Sequence, residues 1–131
     1  MKTSPEKRDR LKNLTATLAR IHKALLELQM HDLEVASGVE IKPAARLNLL
    51  LGDKDFAWLR NLSQLMAIAD DVYFQKEEIS NEQMQKIKVA VTDLFIIGGK
   101  KDFSDRYSLS CQRLTSVMLE HAKIVATLKE F

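Results

Sequence analysis

The chain has 131 residues, of which 46% are hydrophobic and 29% charged, with only four glycines and two prolines. This composition is typical of one folded helical domain and excludes the disordered, fibrous and disulfide-rich classes of protein. The formal net charge of +2, from 20 basic and 18 acidic side chains, is not the basic surplus of a nucleic-acid-binding protein. We therefore predict a single all-α domain over residues 1–131 and no nucleic-acid partner.

The sequence carries no signal for export or for membrane insertion. Residues 1–13 lack the apolar stretch of a secretory signal, and Cys111 is the single cysteine. The longest apolar run, residues 65–69, is much shorter than the roughly 20 residues that cross a bilayer. These features predict a cytoplasmic protein without a membrane partner.

The first helix is expected to begin near Ser4 and Pro5, because serine caps helices and proline fits the first helical position. Thr3 and Glu6 resemble a capping box there. Gly38 is expected to end the helix. Between these limits, apolar residues at alternating spacings of three and four predict one buried seam: Leu11, Leu14, Leu18, Ile21, Leu25 and Leu28.

A short helix is predicted from Pro43 to Gly52, with Asp53 or Asp55 capping the helix that follows. That next helix, over residues 56–74, has apolar residues on half of its circumference, which indicates contact with two or more other helices. The residues of this broad face are Trp58, Leu59, Leu62, Leu65, Met66, Ile68, Ala69, Val72 and Tyr73.

Ser80 and Gln83 form a second capping-box pattern, which starts a helix that ends at Gly98 and Gly99. Its predicted apolar stripe is Met84, Ile87, Val91 and Leu94. A last continuous helix is predicted from about Asp102, with His121 in the middle of its apolar face. The apolar residues of that face are Tyr107, Cys111, Leu114, Met118, Val125 and Leu128.

Short connections between the long helices favour antiparallel neighbours. The predicted fold is an antiparallel up-down bundle of four long helices plus one short helix after the first. In this arrangement the basic start of the chain lies near acidic residues 77–82, and basic residues 100–106 lie near Glu34 and Glu40. The charged groups are therefore interpreted as complementary ends of the bundle.

Three polar residues of the bundle are candidates for a binding site. His22 borders the first seam, His121 lies within the last stripe, and Asp70 lies at the edge of the broad face at a similar height. Such a cluster could bind a metal or transfer a proton, or it could be a hydrogen-bonded part of the core. The absence of Glu-x-x-His pairs favours the structural alternative, so no metal, cofactor or catalytic residue is predicted.

Asp32 continues the first apolar seam where a leucine would fit. A buried carboxylate needs a partner, and the expected partners are Arg46, Arg106 or the indole N–H of Trp58. Asp32 is therefore a further candidate binding residue.

Two stretches, HKALLELQ at 22–29 and LLLGDKDFAWLRNLSQLMAIADD at 49–71, resemble a pattern in small bacterial proteins of similar length to which no activity is assigned. The distinctive part is DKDFAWLR at 53–60. The resemblance implies a bacterial origin and a shared fold, and it brings no functional residue. Within the motif, Phe56 and Arg60 are expected to point away from the core, where they could anchor a partner; the alternative for Phe56 is that it covers the short helix.

No nucleotide-binding, hydrolase or metalloprotease motif occurs in the sequence. The first functional hypothesis is a non-enzymatic helical protein-interaction module that binds a protein partner or itself, as a possible homodimer. The alternative is a small-ligand or metal-binding bundle that uses His22, Asp70 and His121.

Overall fold

The computed structural model describes residues 5–131, so the predicted caps at Thr3 and Ser4 lie outside the described residues. The described part of the chain contains six α-helices and no strand, which confirms the all-α class. No helix among the described residues has the length and apolar character needed to cross a membrane. The helices are α1 (Pro5–Ser37), α2 (Pro43–Gly52), α3 (Arg60–Phe74), α4 (Asn81–Thr92), α5 (Lys101–Arg113) and α6 (Thr115–Glu130).

Helix α1 is the centre of the fold and packs against α3, α5 and α6. Its predicted seam is buried from Leu11 to Leu25, while Leu28 is only partly buried. The predicted end is also confirmed, because Gly38 adopts a φ of +73° and its N–H donates to the carbonyl of Glu34 at 2.8 Å. Glycine suits this position since other residues strain at positive φ.

The helix predicted over residues 56–74 begins differently in the structure. A 3₁₀ turn from Lys54 to Leu59 precedes α3, and Asp53 caps this turn by accepting the N–H of Asp55 at 2.7 Å. The broad face is narrower than predicted, because Ile68 is exposed. Helix α3 packs mainly against α1 and α4, and the exposed Ile68 shows that part of its circumference faces solvent.

Helix α4 begins with the predicted capping box. Gln83 donates its N–H to the Ser80 hydroxyl at 3.0 Å, and the Gln83 side chain accepts the N–H of Ser80 at 3.1 Å. Its predicted stripe is buried from Met84 to Leu94. The helix ends in a wider π-helical turn, Asp93–Ile97, whose first carbonyl accepts the N–H groups of Gly98 and Gly99.

The prediction of one continuous last helix is wrong. Leu114 adopts an extended conformation, with φ −123° and ψ 108°, and separates α5 from α6. The break changes which residues face the core, so that Met118 is 53% exposed and Val117 is buried instead. It allows α5 to pack on the 3₁₀ turn while α6 packs on α1. The arrangement as an up-down bundle of four long helices stays a prediction.

The basic start of α1 lies at the connection between α3 and α4, as expected, but Arg8 donates to backbone carbonyls there. Its guanidinium contacts the carbonyls of Tyr73 at 2.6 Å and Gln75 at 3.2 Å. Carbonyls at the end of a helix lack partners within that helix, so these bonds satisfy groups of α3. Lys7 donates in the same way to the carbonyl of Ile79.

The predicted charge pairing at the other end of the bundle is not seen. Lys101 pairs with Asp105 of its own helix at 3.6 Å. Within residues 5–131, no ion pair joins the basic residues 100–106 to Glu34 or Glu40.

Candidate functional site

The predicted cluster of His22, Asp70 and His121 does not form in the structure. His22 hydrogen-bonds the Ser63 hydroxyl of α3 at 3.1 Å, His121 hydrogen-bonds the Tyr107 hydroxyl at 2.8 Å, and Asp70 is exposed. No group of three or more His, Cys, Asp or Glu residues in the described part of the chain could hold a metal ion. His22 and His121 therefore each have a separate, neutral hydrogen-bonding partner.

The Tyr107–His121 pair belongs to an aromatic group inside the fold. Phe95 packs edge-on against Tyr107 with ring centroids 5.1 Å apart, and Phe103 stacks on Tyr107 at 5.2 Å. Burial raises the pKa of the Tyr107 phenol and lowers the pKa of His121, which favours a hydrogen bond between a neutral phenol and a neutral imidazole.

Cys111 lies one helical turn after Tyr107 on α5, and burial raises the pKa of its thiol. A thiol held in its protonated form is a poor nucleophile. The hydrogen-bonded pair of Tyr107 and His121 and the adjacent Cys111 are thus neutral groups that border the core.

We expect this burial of histidines to make stability depend on pH. Desolvation lowers the pKa of His22 and His121 in the folded protein, whereas the unfolded chain takes up protons near pH 6.5. Protons therefore bind the unfolded state more readily, and the free energy of unfolding should fall as pH drops below about 6.5. The loss should level off below the folded pKa values. Thermal unfolding, followed by circular dichroism at several pH values from 8 to 5, measures this loss of stability.

The double variant His22→Gln/His121→Gln should flatten this pH profile, because glutamine does not titrate. The matched control is His31→Gln, since His31 is exposed on α1. If the double variant kept the pH profile of the wild type, His22 and His121 would not be the cause of the pH dependence.

Asp32 has a different partner from those predicted. It accepts two hydrogen bonds from Arg113, at 2.6 and 2.9 Å, and these bonds hold the pKa of its carboxyl below the usual range. The indole N–H of Trp58 instead donates to Gln29 at 3.3 Å. Because α5 ends at Arg113, its last turn lies opposite Asp32. The pair is about half exposed, so it is not the buried ion pair expected from the sequence.

This ion pair lies beside a cavity of about 130 Å³ between α1, the 3₁₀ turn and α5, which we call the Arg106 pocket. The guanidinium of Arg106 lies over the Trp58 ring, 6.0 Å from its centroid. Arg106 and Arg113 are seven residues apart and therefore share one face of α5. The lining includes Leu28, Gln29, Asp32, Trp58, Arg106 and Leu109. The pocket thus combines apolar surface with several hydrogen-bonding groups.

A second candidate is the outward side of α2, where Ala44, Leu47 and Leu51 have the i, i+3, i+7 spacing of one helix face. We call these three residues the α2 face. Leu47 is 60% exposed and Leu51 is 67% exposed, and no residue of α2 is buried. On the other side of α2, an open groove of about 620 Å³ lies against residues 40–42. Helix α2 therefore contributes little to the core.

The structure corrects the expectation for Phe56, which does not point away from the core. Its side chain is fully buried, and the 3₁₀ turn that carries it packs against α2. Arg60 donates to the carbonyl of Leu51 at 2.9 Å, at the end of α2. Both residues therefore hold α2 in place, and Phe56 cannot serve as an exposed anchor.

Sequence reasoning named part of the Arg106 pocket, because Arg106 and Trp58 were among the partners expected for Asp32, but it missed Gln29 and Arg113. Asp32 was found because a charge interrupts an apolar seam. The available signal for Arg113 was its spacing of seven residues from Arg106, which places both on one helix face, but the sequence does not show that Arg113 rather than Arg106 pairs with Asp32. The resemblance of residues 53–60 to small bacterial proteins stays a prediction, because comparison with known protein families, with curated proteins and with solved structures gives no match.

Proposed function

We propose that this chain is a self-associating helical bundle and that two copies pair through the α2 face. The observation that carries the proposal is the composition and exposure of α2. Six of its ten residues are alanine or leucine, and none is buried. An isolated helix of this length is not stable in water. The helix is therefore held in place by its contacts with the 3₁₀ turn, and these contacts leave Leu47 and Leu51 on the surface. Burial of these two side chains by a partner would stabilise the complex.

The charges around α2 favour a second copy of the chain as the partner. Lys42 and Arg46 outweigh Glu40 at the start of the helix, whereas at its end Asp53 and Asp55 are balanced by Lys54 and by Arg60, which donates to the Leu51 carbonyl. An antiparallel pairing of two such helices about a twofold axis brings the start of each one to the end of the other. The basic start of each helix then meets the negative dipole end of the other helix, twice in one dimer.

The size of the α2 face predicts a weak dimer. A ten-residue helix is about 15 Å long, and stable interfaces bury about 800 Å² on each partner. Burying four leucines gains at most about 6–12 kcal/mol, while association costs about 4–15 kcal/mol. We therefore expect a dissociation constant in the micromolar range or weaker, with the dimer in rapid exchange.

Sedimentation velocity over a wide range of protein concentration tests the proposal. The wild-type protein should shift from monomer to dimer as its concentration rises. The variant Leu47→Lys/Leu51→Lys should stay monomeric, because two charges then replace the apolar contact on each copy. A matched control is Val89→Lys/Leu119→Lys, which changes two similarly exposed apolar residues on α4 and α6.

The control variant should dimerise like the wild type, and circular dichroism should show the same helix content for all three proteins. A wild-type protein that is monomeric at every concentration overturns self-association. If both variants weakened dimerisation equally, the association would depend on general surface hydrophobicity. That result would also overturn the role of the α2 face.

A further inference from the structure

We propose that the Arg106 pocket binds a short-chain monocarboxylate of three or four carbons. The guanidinium of Arg106 would hold the carboxylate, and the side chains of Trp58 and Leu109 would contact the short apolar part. This inference does not depend on the self-association of the chain, because the pocket and the α2 face involve different residues.

Arg106 is the group in the pocket that remains available to an anion. Among residues 5–131 its guanidinium has no acidic partner, and its place over the Trp58 ring positions it at the cavity wall. A guanidinium has five N–H donors in a planar fork that matches the two oxygens of a carboxylate. The neighbouring Arg113, by contrast, already donates two hydrogen bonds to Asp32.

The charge of the pocket favours a ligand with a single negative charge. Arg106 and Arg113 supply two positive charges and Asp32 supplies one negative charge, which leaves a balance of +1. A doubly charged phosphate monoester would exceed that balance and would lie near the Asp32 carboxylate. Gln29 accepts the indole N–H through Oε1, so its amide N–H₂ is free to donate to the same ligand.

The size and lining of the pocket limit the rest of the ligand. A volume of about 130 Å³ is similar to the engineered 150 Å³ cavity that takes up benzene, a molecule of six non-hydrogen atoms. Propionate has five such atoms and butyrate has six. The apolar wall contains Leu25, Leu28 and Leu109 beside the Trp58 ring, which suits an alkyl chain. Ligands this small usually bind weakly, with dissociation constants on the order of 0.1–1 mM.

The experiment uses the intrinsic fluorescence of Trp58, which is the single tryptophan of the chain. Sodium butyrate should change its emission in a saturable manner, whereas sodium chloride at equal ionic strength and neutral butanol should not. Isothermal titration calorimetry provides an independent affinity, because changes at Arg106 also alter the fluorescence of the free protein.

Arg106→Gln should weaken butyrate binding at least about tenfold, since it removes the charged fork. Arg106→Lys should give an intermediate loss because it keeps the charge without the fork. The matched control Arg46→Gln removes an exposed arginine on α2 and should bind like the wild type. All three substitutions are at exposed positions, and circular dichroism should show unchanged helix content.

Either of two results would overturn the proposal. One is the absence of saturable butyrate binding to the wild-type protein at concentrations well above the millimolar range. The other is equal binding by the wild type and Arg106→Gln, which would locate the anion elsewhere. Amide chemical-shift changes confined to Gln29, Ser110 and the Trp58 indole would support the assigned location, and changes dispersed over the surface would contradict it.

Discussion

Replacing Phe103 with alanine is expected to lower the free energy of unfolding by about 3–5 kcal/mol. Its side chain is 0% exposed, and it stacks on Tyr107 and packs edge-on against Phe95 with ring centroids 5.2 and 5.5 Å apart. Trp58 contacts its remaining side at 5.8 Å. The substitution would leave a cavity where α5, the 3₁₀ turn and the π-helical turn meet, and these segments cannot all collapse into it.

Equilibrium unfolding in urea measures this loss as a lower midpoint with an unchanged slope. The melting temperature should fall by about 10 °C or more. The matched control is Phe74→Ala at the end of α3, because Phe74 is 75% exposed. Its effect should stay within about 0.5 kcal/mol. Similar effects of the two substitutions would mean that the aromatic group does not organise the core.

Replacing Gly98 with alanine is expected to lower the free energy of unfolding by about 1–2 kcal/mol, because a side chain at positive φ is strained. Gly98 has a φ of +78° where α4 and its π-helical turn end. An added Cβ would also lie 2.8 Å from the Ser104 hydroxyl. That hydroxyl can rotate away, so the backbone conformation should account for most of the effect.

Substitutions at two other glycines distinguish the strain of positive φ from the contact with Ser104, and they are measured by the same unfolding in urea. Gly38 has a φ of +73° and open space around a Cβ, so Gly38→Ala measures the cost of positive φ alone. Gly52 has open space and no positive φ, so Gly52→Ala should be neutral or slightly stabilising. The double variant Gly98→Ala/Ser104→Ala should recover the part that is due to the contact. A Gly98→Ala protein as stable as Gly52→Ala would contradict the prediction.

The helix limits could be predicted because their signals are local. Gly38 ends α1, Asp53 caps the 3₁₀ turn, and Ser80 with Gln83 starts α4, and each depends on bonds between residues a few positions apart. Such bonds form wherever the chain carries these residues in that order. The seam of α1 was also predictable, since an apolar spacing of three and four fixes which side of a helix avoids water.

The candidate site was only partly predictable. Asp32 was recognised as a charge in an apolar seam, but its partner Arg113 depends on where α5 ends. Leu114 breaks the last helix without a glycine or proline, so the sequence carried no strong stop signal there. With a continuous helix assumed, Met118 was placed on the apolar face, but it is 53% exposed and the adjacent Val117 is buried.

The sequence by itself determined the helical class, the positions of most helix ends and the buried face of α1, because backbone capping and apolar periodicity act over short distances along the chain. Only the tertiary structure decided how much of each face is covered, since coverage depends on which helices meet. It left Leu47 and Leu51 on the surface, separated His22 from His121, and brought Arg106 over Trp58 beside Asp32. These long-range placements carry both functional proposals.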